Sequence, residues 1–188
     1  MGKITLITGG ARSGKSSYAL ERAEAVSKKR FFIATCPSLD EEMNCRVTRH
    51  KEERAGRGWQ TFEEEHDISQ VVRERLPVEP GVVLLDCITL WVNNILFTAE
   101  AAHLETTDSI IRVAAEAFIA EMLSSPHRFF VVTNEVGLGI VPDNRLARLY
   151  RDLVGTANQT LGRAADEVVL VSCGIPLVLK EGGREAGQ

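Results

Sequence analysis

A chain of 188 residues, 44% of them hydrophobic, can bury one sizeable core, so residues 1–180 are expected to form a single domain with a polar tail over 181–188. Its net charge is −4 and its longest basic run is Lys28-Lys29-Arg30, which excludes the electrostatic footprint of a general nucleic-acid binder. No apolar stretch reaches the roughly 18–20 residues of a membrane span and no signal peptide is visible, so a soluble, cytoplasmic protein is expected.

Short apolar runs of strand type recur along the chain: KITLIT (3–8), RFFIAT (30–35), GVVLLD (81–86), RFFVVT (128–133) and EVVLVS (167–172). Each is nearly continuous in apolar character, as strands covered on both faces are. Helical patterns fall between them, at 16–28, 38–55, 67–76, 88–97, 107–124 and 143–165. The second opens with the capping-box spacing Ser38-x-x-Glu41, and Pro142 is assigned to the start of the last. Cys36, Cys45, Cys87 and Cys173 lack CxxC or zinc spacing; Cys87 and Cys173 adjoin apolar runs and are expected as small buried hydrophobes. The closing EGGREAGQ reads as a frayed tail. Alternating strands and helices predict an α/β fold with a mostly parallel sheet covered by helices on both faces.

The first strand runs into GGARSGKS (9–16), which fits G-x-x-x-x-G-K-[ST] in full and in the required strand–loop–helix context. Gly9, Gly10, Ala11, Arg12, Ser13 and Gly14 supply the loop whose amides curl around phosphate oxygens. Lys15 is placed to reach the β- and γ-phosphates, and the Ser16 hydroxyl to ligate Mg²⁺. Asp86 ends the run VVLLD, where a second metal-shell carboxylate belongs. The fold class is therefore a single-domain P-loop NTPase, RecA-like in its mostly parallel sheet.

A regulatory GTPase would carry an Asn-Lys-x-Asp element, and the chain has no Asn-Lys pair. A nucleic-acid motor or RecA-like assembly subunit fits the architecture but not the acidic charge, so a small-molecule kinase or nucleotidyltransferase is preferred. RVTRHKEER (46–54) spaces Arg46, His50 and Arg54 four residues apart, which on a helix stacks them on one face. Three readings stay open from the residues: a neutral His50 that attacks a phosphate, a phosphate-gripping helix with a bystander His, or a solvated charged face. His66, His103 and His127 are read as bystanders, and Thr133-Asn134-Glu135 either lies near the phosphates or organises the Gly-rich turn after it.

Taken together, TGGARSGKS (8–16), IAT (33–35), DEEM…RVTRHKEER (40–54), W-x-T-x-E (59–63), LLDCITLWVNNIL (84–96), TNEVGLGIVPDNRLARLYRD (133–152) and ADEVVLV (165–171) make the chain resemble the bifunctional adenosylcobinamide kinase/adenosylcobinamide-phosphate guanylyltransferase family. The resemblance implies phosphorylation of adenosylcobinamide by ATP or GTP. It then implies transfer of GMP from GTP through guanylyl-His50, giving adenosylcobinamide-GDP and pyrophosphate. By the same match Ala34, Thr35, Cys36, Lys51, Glu52, Glu53, Arg54, Glu63 and Asp86 complete the nucleotide site. It also implies a corrinoid substrate and a homotrimer. Trp91, in the apolar run ITLWVNNILF, either stacks on a corrin or guanine ring or belongs to the core, and the core is preferred.

Overall fold

Side chains alternate across each apolar run, and folding sorts them onto opposite faces of one sheet. The computed structural model describes residues 2–36, 48, 52, 54–182 and 184–185. Its strands are β1 (Lys3–Thr8), β2 (Arg30–Ala34), β3 (Trp59–Glu63), β4 (Val82–Asp86), β5 (Arg128–Val132), β6 (Glu167–Ser172), β7 (Ile175–Glu181) and β8 (Arg184–Glu185). They lie in the order β3-β2-β4-β5-β1-β6-β7-β8, parallel from β3 to β6 and antiparallel beyond. The described long helices are α1 (Lys15–Val26), α2 (Ile88–Ala101), α3 (Asp108–Ser124) and α4 (Arg145–Ala164).

One face of the sheet presents Ile4, Leu6, Phe31, Ile33, Val83, Leu85, Phe129 and Val131 to α2, α3 and α4, with Trp91, Phe118 and Leu161 among the partners. The other presents Ile7, Phe32, Leu84, Phe130, Val132 and Val169 to Ala19, Leu20 and Ala23 of α1. Each large side chain removed from water contributes about 1.5–3 kcal/mol, so both faces hold the sheet. The prediction of a doubly covered, mostly parallel sheet holds. Trp91 is in the core as expected, its indole N–H donating to His66 O at 2.7 Å.

Several local expectations are corrected. β3 was not anticipated, because WQTFE is largely exposed and polar, as an outermost strand can be. Glu181, Arg184 and Glu185 were assigned to a frayed tail, yet they close β7 against β8. Pro142 does not start α4: Asn144 caps it, its side chain accepting from Ala147 N–H at 3.1 Å. The helix expected at 67–76 is present, but it changes winding, from α over Ile68–Gln70 to a wider π-helical stretch at Val71–Arg75. Cys87 is buried as expected, but Cys173 is exposed at φ 53° in the turn between β6 and β7. His127 lies in the bend before β5, but it is buried rather than solvent-facing. Its Nδ1 accepts from Gly81 N–H and its Nε2 donates to Pro77 O, which fixes the neutral ring.

Candidate active site

β5 lies between β1, which leads into the phosphate loop, and β4, which ends in Asp86. The C-terminal ends of these three strands therefore form one crevice, the position where open α/β sheets bind ligands. At its floor the chain leaves β1 through Gly9, where a Cβ would collide with Val171 O and the Ser13 hydroxyl. Gly14 has φ 94° and caps α1 without a side chain, so the helix's first amides and its positive dipole end face the loop. The loop is braced from below by the β6–β7 turn, whose Gly174 N–H donates to Ser13 O at 2.8 Å.

Lys15 is buried and its ammonium donates to Gly10 O at 3.1 Å, curled within the loop. Burial pushes its pKa down, while the charges of Asp86 and Cys87 pull the other way. Lys15 and Asp86 thus feel one another across the crevice. Ser16 is half-buried in the first turn of α1, Ser13 Oγ is buried with no partner among the described residues, and Ala11 and Arg12 face solvent. Burial also pushes the Cys87 thiol up to about 12, so it is an inert neighbour rather than a nucleophile.

The residues implied after β2 divide. Ala34 and Cys36 are half-buried at the strand end, whereas Thr35 is fully buried. Its hydroxyl donates to Cys87 O at 2.8 Å and accepts from Cys87 N–H at 2.9 Å. Thr35 therefore secures the backbone beyond Asp86, and its hydroxyl is already committed. Asn94 of α2 bonds Thr35 O and Glu65 O, tying together the chain ends that follow β2 and β3.

A second group lies at the β3 edge. Arg54 is buried with its guanidinium 3.4 Å from the centre of the Phe32 ring, and Trp59 meets the same ring edge-on. With Thr61, Glu63 and Arg75 they line a cavity of about 720 Å³. Trp59 Nε1 also donates to Glu24 of α1 at 3.0 Å, fixing this wall to the helix that starts at the phosphate loop. Four strand spacings, roughly 19 Å, separate β3 from β1, but only two, roughly 10 Å, separate it from β4, so the cavity adjoins the Asp86 side of the crevice. Thr48, Glu52 and Arg54 are helical, as the 38–55 prediction requires. Arg46, His50, Lys51 and Glu53, with the capping-box residues Ser38 and Glu41, lie outside the described residues.

Sequence reasoning missed the supports of the crevice. Asn158 of α4 meets Thr133 Oγ1, Asn134 O and Glu135 Oε1, and Thr8 Oγ1 donates to Glu135 Oε1 at 2.8 Å. Asn94 carried a signal, a polar residue inside an apolar helix. Arg75 and Asn158 carried none, because their partners are distant in the chain.

Fold and cradle define a P-loop nucleotide-binding protein of RecA-like architecture. The fold is shared with the flagellar accessory protein FlaH from Methanocaldococcus jannaschii, at a TM-score of 0.51 and 12% identity over 96% of this chain and 79% of that one. The family described as cobinamide kinase / cobinamide phosphate guanyltransferase matches residues 5–179, and the chain belongs to it. It is similar to the bifunctional adenosylcobalamin biosynthesis protein CobU of Escherichia coli (strain K12), 39% identical over 94% of this chain and 99% of that protein. The protein of the same name from Salmonella typhimurium is 40% identical over 94% of this chain and 99% of its own length.

Proposed function

We propose that this enzyme of cobalamin biosynthesis phosphorylates adenosylcobinamide at the crevice and then passes GMP from GTP to the product through a covalent guanylyl-His50. Family membership supports the two activities. The observation that carries the reading to residues is the cradle itself, with buried Lys15 beside Asp86 at the mouth of a Gly-rich loop.

In the kinase step the loop amides and Lys15 hold the β- and γ-phosphates of ATP or GTP and stabilise charge as the terminal phosphoryl leaves. In the transfer step the His50 imidazole forms a bond to the α-phosphorus of GTP, and the bond to pyrophosphate breaks. The substrate phosphate then forms its own bond to that phosphorus, the phosphorus–nitrogen bond breaks, and His50 is regenerated. Arg54 and Glu63, from the cavity at β3, are assigned to the guanosine part of GTP, with Ala34, Thr35, Cys36, Lys51, Glu52 and Glu53 around it. Ser16 and Asp86 suit Mg²⁺, a hydroxyl and one carboxylate leaving room for phosphate oxygens and water, and the ion would neutralise phosphate charge there.

Self-association as a trimer completes the proposal. It is supported by the family resemblance and by the aliphatic surface of β7, where Ile175, Leu177, Val178 and Leu179 are all exposed. Sedimentation of the protein at micromolar concentration reads the state directly. For the chemistry, the protein is incubated with GTP labelled at the α-phosphate and then denatured. Retained label that is acid-labile, alkali-stable and missing from His50→Ala is the expected result. Label absent from the wild type, or unchanged in His50→Ala, removes the covalent route and leaves a plain P-loop kinase.

A further inference from the structure

Of the two reactions, only one has to take a proton from a weak acid. An aminopropanol hydroxyl is un-ionised at neutral pH and must lose its proton as its oxygen bonds to phosphorus. The phosphate that accepts GMP is a monoester whose second ionisation falls near pH ~6, and an imidazole attacks through a free lone pair. Neither displacement of the transfer step therefore calls for a base. The kinase step does.

Two carboxylates among the described residues stand at the C-terminal ends of β1, β4 and β5: Asp86 and Glu135. Asp86 faces Lys15 and suits the metal shell. Glu135 is anchored twice to the start of the cradle. Its N–H donates to Gly9 O at 3.2 Å, and its Oε1 accepts from Thr8 Oγ1 at 2.8 Å. Asn158 Nδ2 lies 3.5 Å from that same oxygen, while Oε2 meets no hydrogen-bond donor among the described residues. Beside it, Asn134 Oδ1 is buried with no partner among the described residues, an acceptor left for an incoming donor.

We propose that Glu135 is the general base of the kinase step, held in register with the phosphate loop by Thr8 and oriented by Asn158. As the substrate oxygen forms its bond to the γ-phosphorus, Glu135 Oε2 takes the hydroxyl proton. The bond from that phosphorus to the bridging oxygen breaks, and the nucleoside diphosphate leaves with the electron pair. Glu135 then returns the proton to solvent. The inference deepens the function proposed above and rests on it.

The test is Glu135→Gln in the full chain, read by three assays. These are phosphorylation of adenosylcobinamide, GMP transfer onto preformed adenosylcobinamide phosphate, and label retained from α-labelled GTP. Phosphorylation is expected to fall by about 10²–10⁴-fold, with the other two at wild-type level. Glu135→Asp, which keeps a carboxylate, is expected to retain more phosphorylation than the Gln variant. If all three signals fall together, Glu135 only braces the cradle and the proposal is overturned. Unchanged phosphorylation against an active wild type overturns it alone. A wild type that transfers GMP without phosphorylating overturns the kinase reading, and the base with it.

Discussion

In the phosphate cradle the anion-binding groups are backbone amides supplied by residues 9–16, whereas the cavity beside β3 is lined by side chains drawn from positions 54 to 75. The cradle tolerates almost no change in shape, since a Cβ at Gly9 meets Val171 O and the Ser13 hydroxyl. The cavity has slack. Its acid, Glu63, is exposed, and its lining changes character with each side chain. In the function proposed above, phosphate is common to both donors and both steps, while only the transfer step requires a guanine ring. On that proposal the rigid backbone device serves the shared group and the adjustable cavity the distinguishing one.

Lys15→Ala breaks the cradle and carries the largest expected effect. Both phosphorylation and GMP transfer should drop by about 10²–10³-fold, as loss of one preorganised donor does, with far-UV circular dichroism unchanged. If only one activity drops, the two steps do not share the cradle. Glu63→Gln probes the other region and should raise KM for GTP in the transfer step roughly tenfold, a difference of about 1.4 kcal/mol. Phosphorylation with ATP should hold, and an equal loss in both would merge the two regions into one site.

Thr35→Val tests the framework between them. Removing a hydroxyl that both donates to and accepts from Cys87 leaves buried backbone groups unpaired, at about 1–3 kcal/mol. Thermal denaturation should show a loss of about 2–4 °C per kcal/mol for a chain of this size. A Tm equal to wild type would free the Thr35 hydroxyl for a ligand role.

The smallest effect is one of pH, far from either region. Burial pushes the His127 pKa below its ordinary value near 6.5. Between that depressed value and about 6.5 the unfolded chain binds more protons than the folded one, so stability rises with pH across the window. Its contribution is complete above about 6.5 and is lost as pH falls toward the folded-state value. Tm measured from pH 7 downward should fall more steeply for wild type than for His127→Gln. Parallel curves would show that the ring titrates alike in the folded and unfolded chain.

The same contrast explains what could be read from the sequence. The cradle was legible because its groups are consecutive, and the five core strands because both faces of each are buried. Asp86 was legible from its place at the end of an apolar run. β3 was not, since Trp59, Thr61 and Glu63 face a cavity rather than a core and leave a mixed, polar pattern. β7 was hidden by Pro176 and by an exposed surface that alternation does not describe. Arg75 reaches Glu63 O and the Phe62 ring only through the tertiary fold, and no local spacing announces it. Cys173 misled, because an apolar strand was taken to continue into what is a tight turn.

The bond from Trp59 to Glu24 gives α1 a further consequence. The helix begins at Lys15 and reaches Glu24 after about 13.5 Å of rise, so it acts as a ruler laid between the cradle and the wall of the cavity. Sheet and ruler together set the span between the two regions. If GMP passes through His50 as proposed above, the imidazole is what carries the nucleotide fragment along that span.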